Sequence, residues 1–261
     1  MSVARTPRLQ LSHVTVRYGD RTALEDVSMT VEPGSYVGVL GPNGSGKTTL
    51  IRAILGSTPL SAGAVTVDGL PARSAKGVFA YVPQTHQIAL DMPLTVWDVV
   101  LMGRLPRLRW HRRYGRHDRE VAAWALERVH LADERNRLIG ELSGGQQQRA
   151  FIARALAQEG RILLLDEPLT GVDAVTQEIV LRLLANLHAD GLTILIATHD
   201  LSSAAGTCDT LCLLNRRLVA YGPMRETFTP AALRETFGRH VHLGEGIEAD
   251  HPELVEHVIL H

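Results

Sequence analysis

The stretch Gly41-Pro-Asn-Gly-Ser-Gly-Lys-Thr48 decides the fold of this chain. It matches the pattern G-x-x-x-x-G-K-[ST] and lies between the apolar stretch Tyr36–Leu40 and a segment with helical periodicity, the context that the pattern requires. Glycines let the backbone turn its N–H groups towards phosphate oxygens, and the N-terminus of the following helix adds positive partial charge. A glycine-rich turn with a chance lysine would lack this context, so the stretch predicts a phosphate-binding loop.

The loop predicts contacts to a nucleoside triphosphate and to Mg²⁺. Lys47 is expected to contact the β- and γ-phosphates. The hydroxyl of Thr48 is expected to coordinate Mg²⁺, a hard cation that prefers oxygen ligands. The other candidate nucleotide contacts in the loop are Gly41, Asn43, Gly44, Ser45, Gly46 and Thr49.

A second, acidic motif narrows the chemistry. The run Ile-Leu-Leu-Leu-Asp166-Glu167 places two carboxylates at the end of an apolar stretch. Asp166 is the candidate to hold Mg²⁺, directly or through water, and Glu167 is the candidate to polarise the attacking water. A helix N-cap is the structural alternative, which Pro168 also fits. Beside the phosphate loop, the two carboxylates predict hydrolysis of the nucleotide.

Short apolar stretches alternate with helical patterns along the chain. Each apolar stretch ends in polar residues, which is typical of parallel strands buried on both faces. The strands are predicted at Tyr36–Leu40, Val78–Val82, Ile162–Leu165 and Thr193–Ala197, and the helices at Thr48–Leu55, Gln146–Ala157, Thr176–Asp190 and Ser202–Cys208. This alternation predicts a doubly wound α/β core.

Two further regions have a different pattern. Residues 8–35 and 62–70 alternate as antiparallel strands do, with turns predicted at Gly19–Asp20 and Asp68–Gly69. Residues 94–158 are mostly helical in pattern, with long segments at 95–103 and 117–130. We predict that these segments form a helical subdomain inserted into the α/β core.

The motif Leu142-Ser-Gly-Gly-Gln146 precedes the next predicted helix. Ser143 is a plausible N-cap, and Gly144 and Gly145 expose backbone N–H groups at a positive helix end. The motif therefore predicts a second phosphate-binding half-site. Two half-sites on one chain serve a single nucleotide only where they meet across an interface, and a two-fold dimer achieves this twice.

With these motifs the sequence resembles the ATP-binding cassette family, over about residues 8–222. The resemblance implies a P-loop NTPase fold: a RecA-like α/β core, an antiparallel β subdomain and a helical subdomain at about 90–158. Residues 223–261 would be a carboxy-terminal extension. The resemblance also implies that ATP lies between Lys47, Thr48 and Tyr18 of one copy and the Ser143–Gln146 motif of a second copy.

Four single residues match further positions of that family. Tyr18 matches the aromatic residue that stacks on adenine, and Gln84 the glutamine that links Mg²⁺ and water to the membrane partner. Asp173 matches the aspartate of the inter-subunit loop, and His199 the histidine that contacts the γ-phosphate. Taken alone, these residues could be a strand-end aromatic, a loop amide, a helix cap and a hydrogen-bonded histidine.

Composition bounds the setting in which the chain works. It has 261 residues, with 27 Lys and Arg against 28 Asp and Glu, and this near-neutral balance argues against bulk binding to nucleic acid. No apolar run approaches the ~20 residues of a membrane helix, and the first residues do not read as a signal peptide. We expect a peripheral subunit on the cytoplasmic face of a membrane, acting with a separate permease. The six arginines of Arg104–Arg116 are interpreted as a loop near anionic headgroups or the permease, with a solvated loop or a nucleic-acid contact as alternatives.

The residues after Gln84 bear on the substrate. The sequence DMPLTVWDVVLMGR at 91–104, together with Glu-Pro-Leu-Thr-Gly-Val-Asp173, resembles the branch that imports manganese, zinc or chelated iron with an extracytoplasmic metal-binding protein. Import of iron-siderophores or cobalamin is the alternative within the family. A cassette ATPase of DNA repair or translation, a regulatory module and an exporter half remain as alternatives outside it.

The last 22 residues hold five of the twelve histidines: His240, His242, His251, His257 and His261. A metal-sensing tail is one hypothesis. The alternatives are a solvated tail or a carboxy-terminal helix over 252–261 that pairs with its dimer mate. Cys208 and Cys212 are too few for a disulfide framework, and they are interpreted as ordinary buried cysteines.

Overall fold

The computed structural model describes residues 7–75, 77–84, 93–108, 113–201, 204, 206–238, 241–243 and 258–260. The predictions that concern residues 85–92 and 109–112, part of the helix predicted at Ser202–Cys208, and His240, His251, His257 and His261 fall outside these residues. Among the described residues, no helix is long and apolar enough to cross a membrane.

A six-stranded sheet forms the centre of the molecule. Its strands, in order across the sheet, are β10 (Arg217–Pro223), β9 (Thr210–Asn215), β3 (Tyr36–Leu40), β8 (Thr193–Thr198), β7 (Ile162–Asp166) and β6 (Phe79–Val82). All run parallel except the edge strand β10. The four predicted parallel strands are confirmed, each to within one residue at either end.

The sequence analysis missed β9 and β10. The apolar run Leu211–Leu214 carries the same signal as the other buried strands, but no functional motif follows it. The structure gives β9 a central role, because it pairs in parallel with β3 and supports the strand that leads into the phosphate loop.

Helices and a second sheet cover the two faces of the central sheet. The helices are α1 (Lys47–Ile54), α2 (Val96–Leu101), α3 (Arg116–Arg128), α4 (Gly144–Leu156), α5 (Ala174–Ala189), α6 (Met224–Thr227) and α7 (Pro230–Phe237). Short 3-10 helices lie at Ala72–Ser74, Met102–Arg107 and Ile139–Glu141. The helices predicted over 48–55, 146–157 and 176–190 correspond to α1, α4 and α5, and α2 and α3 match the long helical segments predicted at 95–103 and 117–130.

Alternate residues of β7 point into two different cores, as in a parallel sheet buried on both faces. Leu163 and Leu165 pack with residues of α2 to α5. Ile162 and Leu164 pack with α1 and with the second sheet. Cys208 and Cys212 are buried, one in each core, which confirms their interpretation as buried cysteines.

The second sheet is antiparallel, as predicted from the alternating pattern. Its strands, in order across the sheet, are β2 (Arg21–Val31), β1 (Leu9–Tyr18), β4 (Ala62–Val67) and β5 (Leu70–Pro71). The turns at Gly19–Asp20 and Asp68–Gly69 are present. The first turn sets Tyr18 opposite Arg21 at the end of the β1–β2 ladder.

The carboxy-terminal alternative of a helix over 252–261 is wrong for the residues described there. Val258–Leu260 forms strand β12, which pairs antiparallel with β11 (Val241–Leu243). The β-branched residues Val258 and Ile259 favour a strand over a helix. Before this ribbon, α6 and α7 follow β10 directly, and Leu233 of α7 belongs to the core on the helical face.

Candidate functional site

Glycines shape the loop between β3 and α1. A Cβ on Gly41 would lie 2.1 Å from the carbonyl oxygen of Leu214 and 2.6 Å from Oγ of Ser45. Gly46 has a φ of +105°, and a Cβ there would lie 2.7 Å from the carbonyl oxygen of Ala23. Only glycine fits at both places, so the close approach of the loop to its neighbours depends on these two residues.

Lys47 lies across the inside of this loop. Its side chain is 5% exposed, and Nζ donates to the carbonyl oxygens of Gly41 at 2.7 Å and Pro42 at 3.2 Å. Oε1 of Glu167 is 3.4 Å from the same nitrogen. Burial lowers the pKa of Lys47, although the charge of Glu167 opposes this shift. The ammonium group is thus held at the position where phosphate oxygens would enter the loop.

Asp166 and Thr48 bring two oxygen ligands together. Asp166 is 1% exposed, and its Oδ1 accepts a hydrogen bond of 3.1 Å from the hydroxyl of Thr48. Burial raises the pKa of the Asp166 carboxyl, and the hydrogen bond from Thr48 opposes the shift. A hydroxyl beside a desolvated carboxylate is a donor set that fits a hard cation such as Mg²⁺.

Glu167 is the point at which three predicted residues meet. Nε2 of Gln84 lies 3.4 Å from Oε2, and Nδ1 of His199 lies 3.7 Å from Oε1. The Thr170 hydroxyl also lies 3.3 Å from Oε2. The Glu167 backbone has a φ of +49°, unusual for a residue with a side chain, and its N–H donates to the carbonyl oxygen of Ala197 at 2.8 Å. Strands β7 and β8 therefore hold this carboxylate in a defined place.

His199 has unused hydrogen-bonding capacity in this conformation. Its Nδ1 atom is buried and has no hydrogen-bond partner within the described part of the chain. Buried polar atoms are normally paired, so an orphan atom beside a carboxylate indicates that a further group belongs in the site.

A cavity of about 410 Å³ opens over the loop. It is lined by Tyr18, Arg21, Ala23, Asn43, Gly44, Gly46, Lys47, Thr48, Thr49 and Glu167. Tyr18 lies at its mouth with 46% of the residue exposed, and its hydroxyl lies 3.3 Å from Oγ1 of Thr58. Asn43, Gly44 and Thr49 line the cavity as predicted, whereas Ser45 is almost fully buried, at 1% exposed.

Sequence reasoning missed Arg21. Its Nη2 atom lies 3.8 Å from where a Cβ on Gly44 would be, so its guanidinium is close to the phosphate loop. A predicted hairpin turn at Gly19–Asp20 already implied that Tyr18 and Arg21 would be neighbours across the ladder. That register was the signal that could have added Arg21 to the candidate residues.

The Ser143–Gln146 motif forms the N-terminus of α4. Oγ of Ser143 accepts a 3.3 Å hydrogen bond from the N–H of Gln146, and the Gln146 side chain accepts one of 3.1 Å from the N–H of Ser143. This reciprocal capping box confirms Ser143 as the N-cap. None of these residues is among the described residues that line the cavity.

Gly144 and Gly145 of this motif have opposite surroundings. A Cβ on Gly145 would lie 2.3 Å from Cγ2 of Thr176, at the start of α5. A Cβ on Gly144 would meet nothing within 4 Å. Packing inside the chain therefore explains the glycine at 145 but not the one at 144.

Asp173 is the N-cap of α5. It accepts hydrogen bonds from the N–H of Thr176 at 3.0 Å and from its hydroxyl at 2.7 Å. These bonds lower the pKa of the exposed Asp173 carboxyl. The helix-cap alternative for Asp173 is therefore confirmed, while its role between subunits stays a prediction.

Comparison with known proteins decides the family. The sequence pattern of the family described as ABC transporter matches residues 24–170, which is more than half of the chain. The chain belongs to the ABC transporter family. It is the ATP-binding subunit of an ABC transporter, and such cassettes hydrolyse ATP.

Several relatives of this cassette have names that state a substrate. It is 46% identical over 240 residues to the manganese transport system ATP-binding protein MntA of Synechocystis, a match that covers 90% of the chain and 92% of the relative. It is 40% identical over 233 residues to the zinc transport system ATP-binding protein TroB of Treponema pallidum, covering 89% of the chain and 88% of the relative.

Solved structures agree with the fold of the cassette. A chain from an inward-facing transporter described as of metal-chelate type matches with a TM-score of 0.80 and 30% identity, covering 88% of each chain. The dimeric structure of MJ0796, a bacterial ABC transporter cassette, matches with a TM-score of 0.69 and 28% identity, covering 83% of this chain and 98% of that one. The predicted P-loop NTPase fold is confirmed.

The burial of Asp166 predicts a trade of stability for function. Because folding raises the pKa of this carboxyl, the ionised form costs stability at neutral pH and the cost disappears below the ordinary pKa. Asp166→Asn is therefore expected to raise the free energy of unfolding at pH 7, by an amount that shrinks as the pH falls. Urea denaturation of both proteins between pH 7 and pH 4 measures this.

Asp173→Asn is the matched control for Asp166→Asn. The pKa of Asp173 is lowered by its hydrogen bonds to Thr176, so its charge stabilises the fold at neutral pH and the sign of the effect reverses. Asp173→Asn should lower the free energy of unfolding at pH 7. A destabilised Asp166→Asn protein would contradict the prediction and show that the attraction of Lys47 outweighs burial.

Proposed function

We propose that two copies of the cassette enclose two ATP molecules and hydrolyse them. The open space beside Gly144 carries this proposal: the motif offers backbone N–H groups to a ligand that the same chain does not supply. In the dimer, ATP lies in the cavity of one copy against the Ser143–Gln146 motif of the other. Tyr18 stacks on the adenine, and Lys47 with the loop amides holds the phosphates. Asp173 lies at the interface between the copies.

The chemistry of the proposed site is in-line attack of water on the γ-phosphate. Glu167 accepts a proton from the water or orients it. His199 donates to the γ-phosphate or the water through nitrogen that is not paired within the chain, and Gln84 contacts the same water. Thr48, Asp166 and Gln84 would hold Mg²⁺, which when bound neutralises charge on the phosphates. Lys47 leaves Glu167 when phosphate arrives, and this frees the carboxylate to act as base.

We infer that the cassette drives a separate permease from the cytoplasmic face of the membrane. Residues 8–222 form the ATP-binding domain, with a helical subdomain at about 90–158, and residues 223–261 form an extension. The described part of the segment after Gln84, residues 93–107, is the proposed contact with the permease. Such a subunit needs no membrane span of its own.

The proposed substrate is a transition-metal ion that enters the cell. The relatives named for manganese and zinc transport, and the chelated iron transport protein YfeB of Yersinia pestis, which is 43% identical over 243 residues, support this class. In this proposal an extracytoplasmic metal-binding protein delivers the ion to the permease. The choice of ion lies in those subunits, whose ligands contact it.

Glu167→Gln tests the assignment of the base. The amide keeps the size of the side chain but cannot take a proton, so ATP turnover is expected to fall by about 10²- to 10⁴-fold. Binding of ATP should persist, and ATP should shift the variant towards dimers. Turnover is measured with radiolabelled ATP and dimers by light scattering. Turnover at the wild-type rate would disprove the base assignment.

Gly144→Ala tests the second half-site. The methyl group meets nothing within the chain, and alanine favours a helix, so the melting temperature should stay within about 2 °C of wild type. ATP turnover should fall at least about tenfold, because the methyl group keeps the amide from the phosphates of the other copy. Normal turnover would contradict the dimer site.

Gly145→Ala is the control for Gly144→Ala. Its Cβ would lie 2.3 Å from Thr176, so this variant should lose stability as well as activity. Thermal melting beside steady-state turnover distinguishes the two effects. A Gly144→Ala protein that melts as early as Gly145→Ala would show that residue 144 is constrained inside the chain.

Transport assays test the proposed substrate. The cassette and its permease are reconstituted in lipid vesicles, and ATP turnover is measured with a binding protein loaded with Mn²⁺, Zn²⁺ or an iron chelate. One of these loads should stimulate turnover above the unloaded protein. Stimulation by a siderophore or cobalamin alone would contradict the proposed class.

A further inference from the structure

Arg104 is a buried arginine outside the ATP site. It lies in the 3-10 helix Met102–Arg107, directly after α2, and only 3% of its side chain is exposed. Burying a guanidinium costs free energy unless carboxylates and carbonyl oxygens accept its hydrogen bonds. The acceptors that Arg104 uses show which parts of the fold it holds together.

Three elements supply these acceptors. Nη1 donates to the carbonyl oxygen of Ala157 at 2.7 Å and to Oε2 of Glu159 at 2.6 Å, both just after α4. Nε donates to Oδ1 of Asp118 at 3.0 Å. The other oxygen of Asp118 accepts the N–H of Gly115 at 2.9 Å and so caps α3. One side chain thus joins the end of α2, the start of α3 and the end of α4.

Gly103 provides an independent sign of this junction. A Cβ on Gly103 would lie 2.2 Å from the carbonyl oxygen of Arg154 and 3.0 Å from Cβ of Ala157. The backbone of the 3-10 helix therefore rests directly on the last turn of α4. This contact leaves no room for movement between the two, and it places Arg104 beside its acceptors.

The other end of the same segment is tied to the start of α4. The N–H groups of Val96 and Trp97 donate to the carbonyl oxygens of Arg137 and Arg135, each at 2.9 Å. The N–H of Ile139 donates to the carbonyl oxygen of Leu94 at 2.9 Å. Residues 135–139 lead into Ser143 at the N-terminus of α4. The segment 94–104 is therefore fastened near both ends of the helix that begins with the second half-site.

We infer that Arg104 is a positioning residue that transmits movement of the permease-contacting segment to the Ser143–Gln146 motif. This rests on the proposed function, in which residues 93–107 contact the permease. When the permease displaces the segment, the contacts of Gly103 and Arg104 make α4 move with it. The motif then approaches or leaves the ATP of the other copy. Arg104 itself does not contact the nucleotide.

Arg104→Gln tests this inference in two settings. Turnover and the KM for ATP are measured for the cassette alone and for the cassette reconstituted with its permease in lipid vesicles. The inference expects both values of the isolated cassette to stay within about twofold and the permease-stimulated turnover to fall about fivefold to thirtyfold. Equal losses in both settings would show a structural role only, and unchanged stimulation would also overturn the inference.

Further variants separate the contact from general damage. Glu159→Gln removes one acceptor without changing residues 94–107, so it should reproduce the loss, and the double variant with Arg104→Gln should be no worse than either single one. Additive losses would contradict a shared contact. Arg116→Gln is the control, because Arg116 is 93% exposed and pairs only with Glu120 one helical turn away among the described residues. Its two rates should match wild type.

Hydrogen exchange tests the contact without the permease. In the isolated Arg104→Gln protein, amides of Met102–Arg107 should exchange at least about tenfold faster, while those of β7 keep the wild-type rate. Unchanged exchange at 102–107 would show that Arg104 does not hold the segment and would overturn the inference. A wild-type cassette that its permease does not stimulate would instead contradict the proposed function.

Discussion

The desolvated charges of Lys47, Asp166 and Glu167 are the constraint on which the rest of the structure depends. Lys47 is 5% exposed and Asp166 is 1% exposed, so neither group has much water to stabilise it. Burial shifts the two pKa values towards the neutral forms, Lys47 downwards and Asp166 upwards. Chain folding accepts this cost because β3 and β7, on either side of β8, must deliver charges from distant parts of the sequence to one place. Phosphate and a hard cation are the partners that compensate such a cluster best.

Glycine serves two different purposes around this cluster. Gly41, Gly46 and Gly145 are glycines because another part of the same chain occupies the space that a Cβ would need. Gly144 is different, since its surroundings are open. A helix start gains stability from alanine over glycine, so a glycine there without an internal reason implies an approach from outside. The contrast between 144 and 145 separates packing from binding inside one motif.

Much of the fold and of the site could be predicted, because short-range patterns carry them. Strands ended at polar motifs, and the capping box of Ser143 and Gln146 is contained within four residues. Residues whose place depends on distant pairing were missed. Arg21 reaches the cavity through the register of β1 and β2, and β9 is recognised only when it pairs with β3. The helix proposed over 252–261 failed at Val258–Leu260, where pairing with β11 adds to a local preference for strand.

The junction around Arg104 shows why a polar contact suits a part that transmits movement. A buried ion pair seldom stabilises a protein more than well-packed apolar side chains would. Apolar packing, however, permits sliding between alternative arrangements, whereas donors aimed at the Ala157 carbonyl and at two carboxylates are satisfied in one geometry. Asp118 retains its charge there, because hydrogen bonds from Gly115 and Arg104 lower its pKa even though burial alone would raise it. Charge at this junction therefore gives definition of position, and a helix that must carry a half-site to another copy of the chain needs that more than it needs stability.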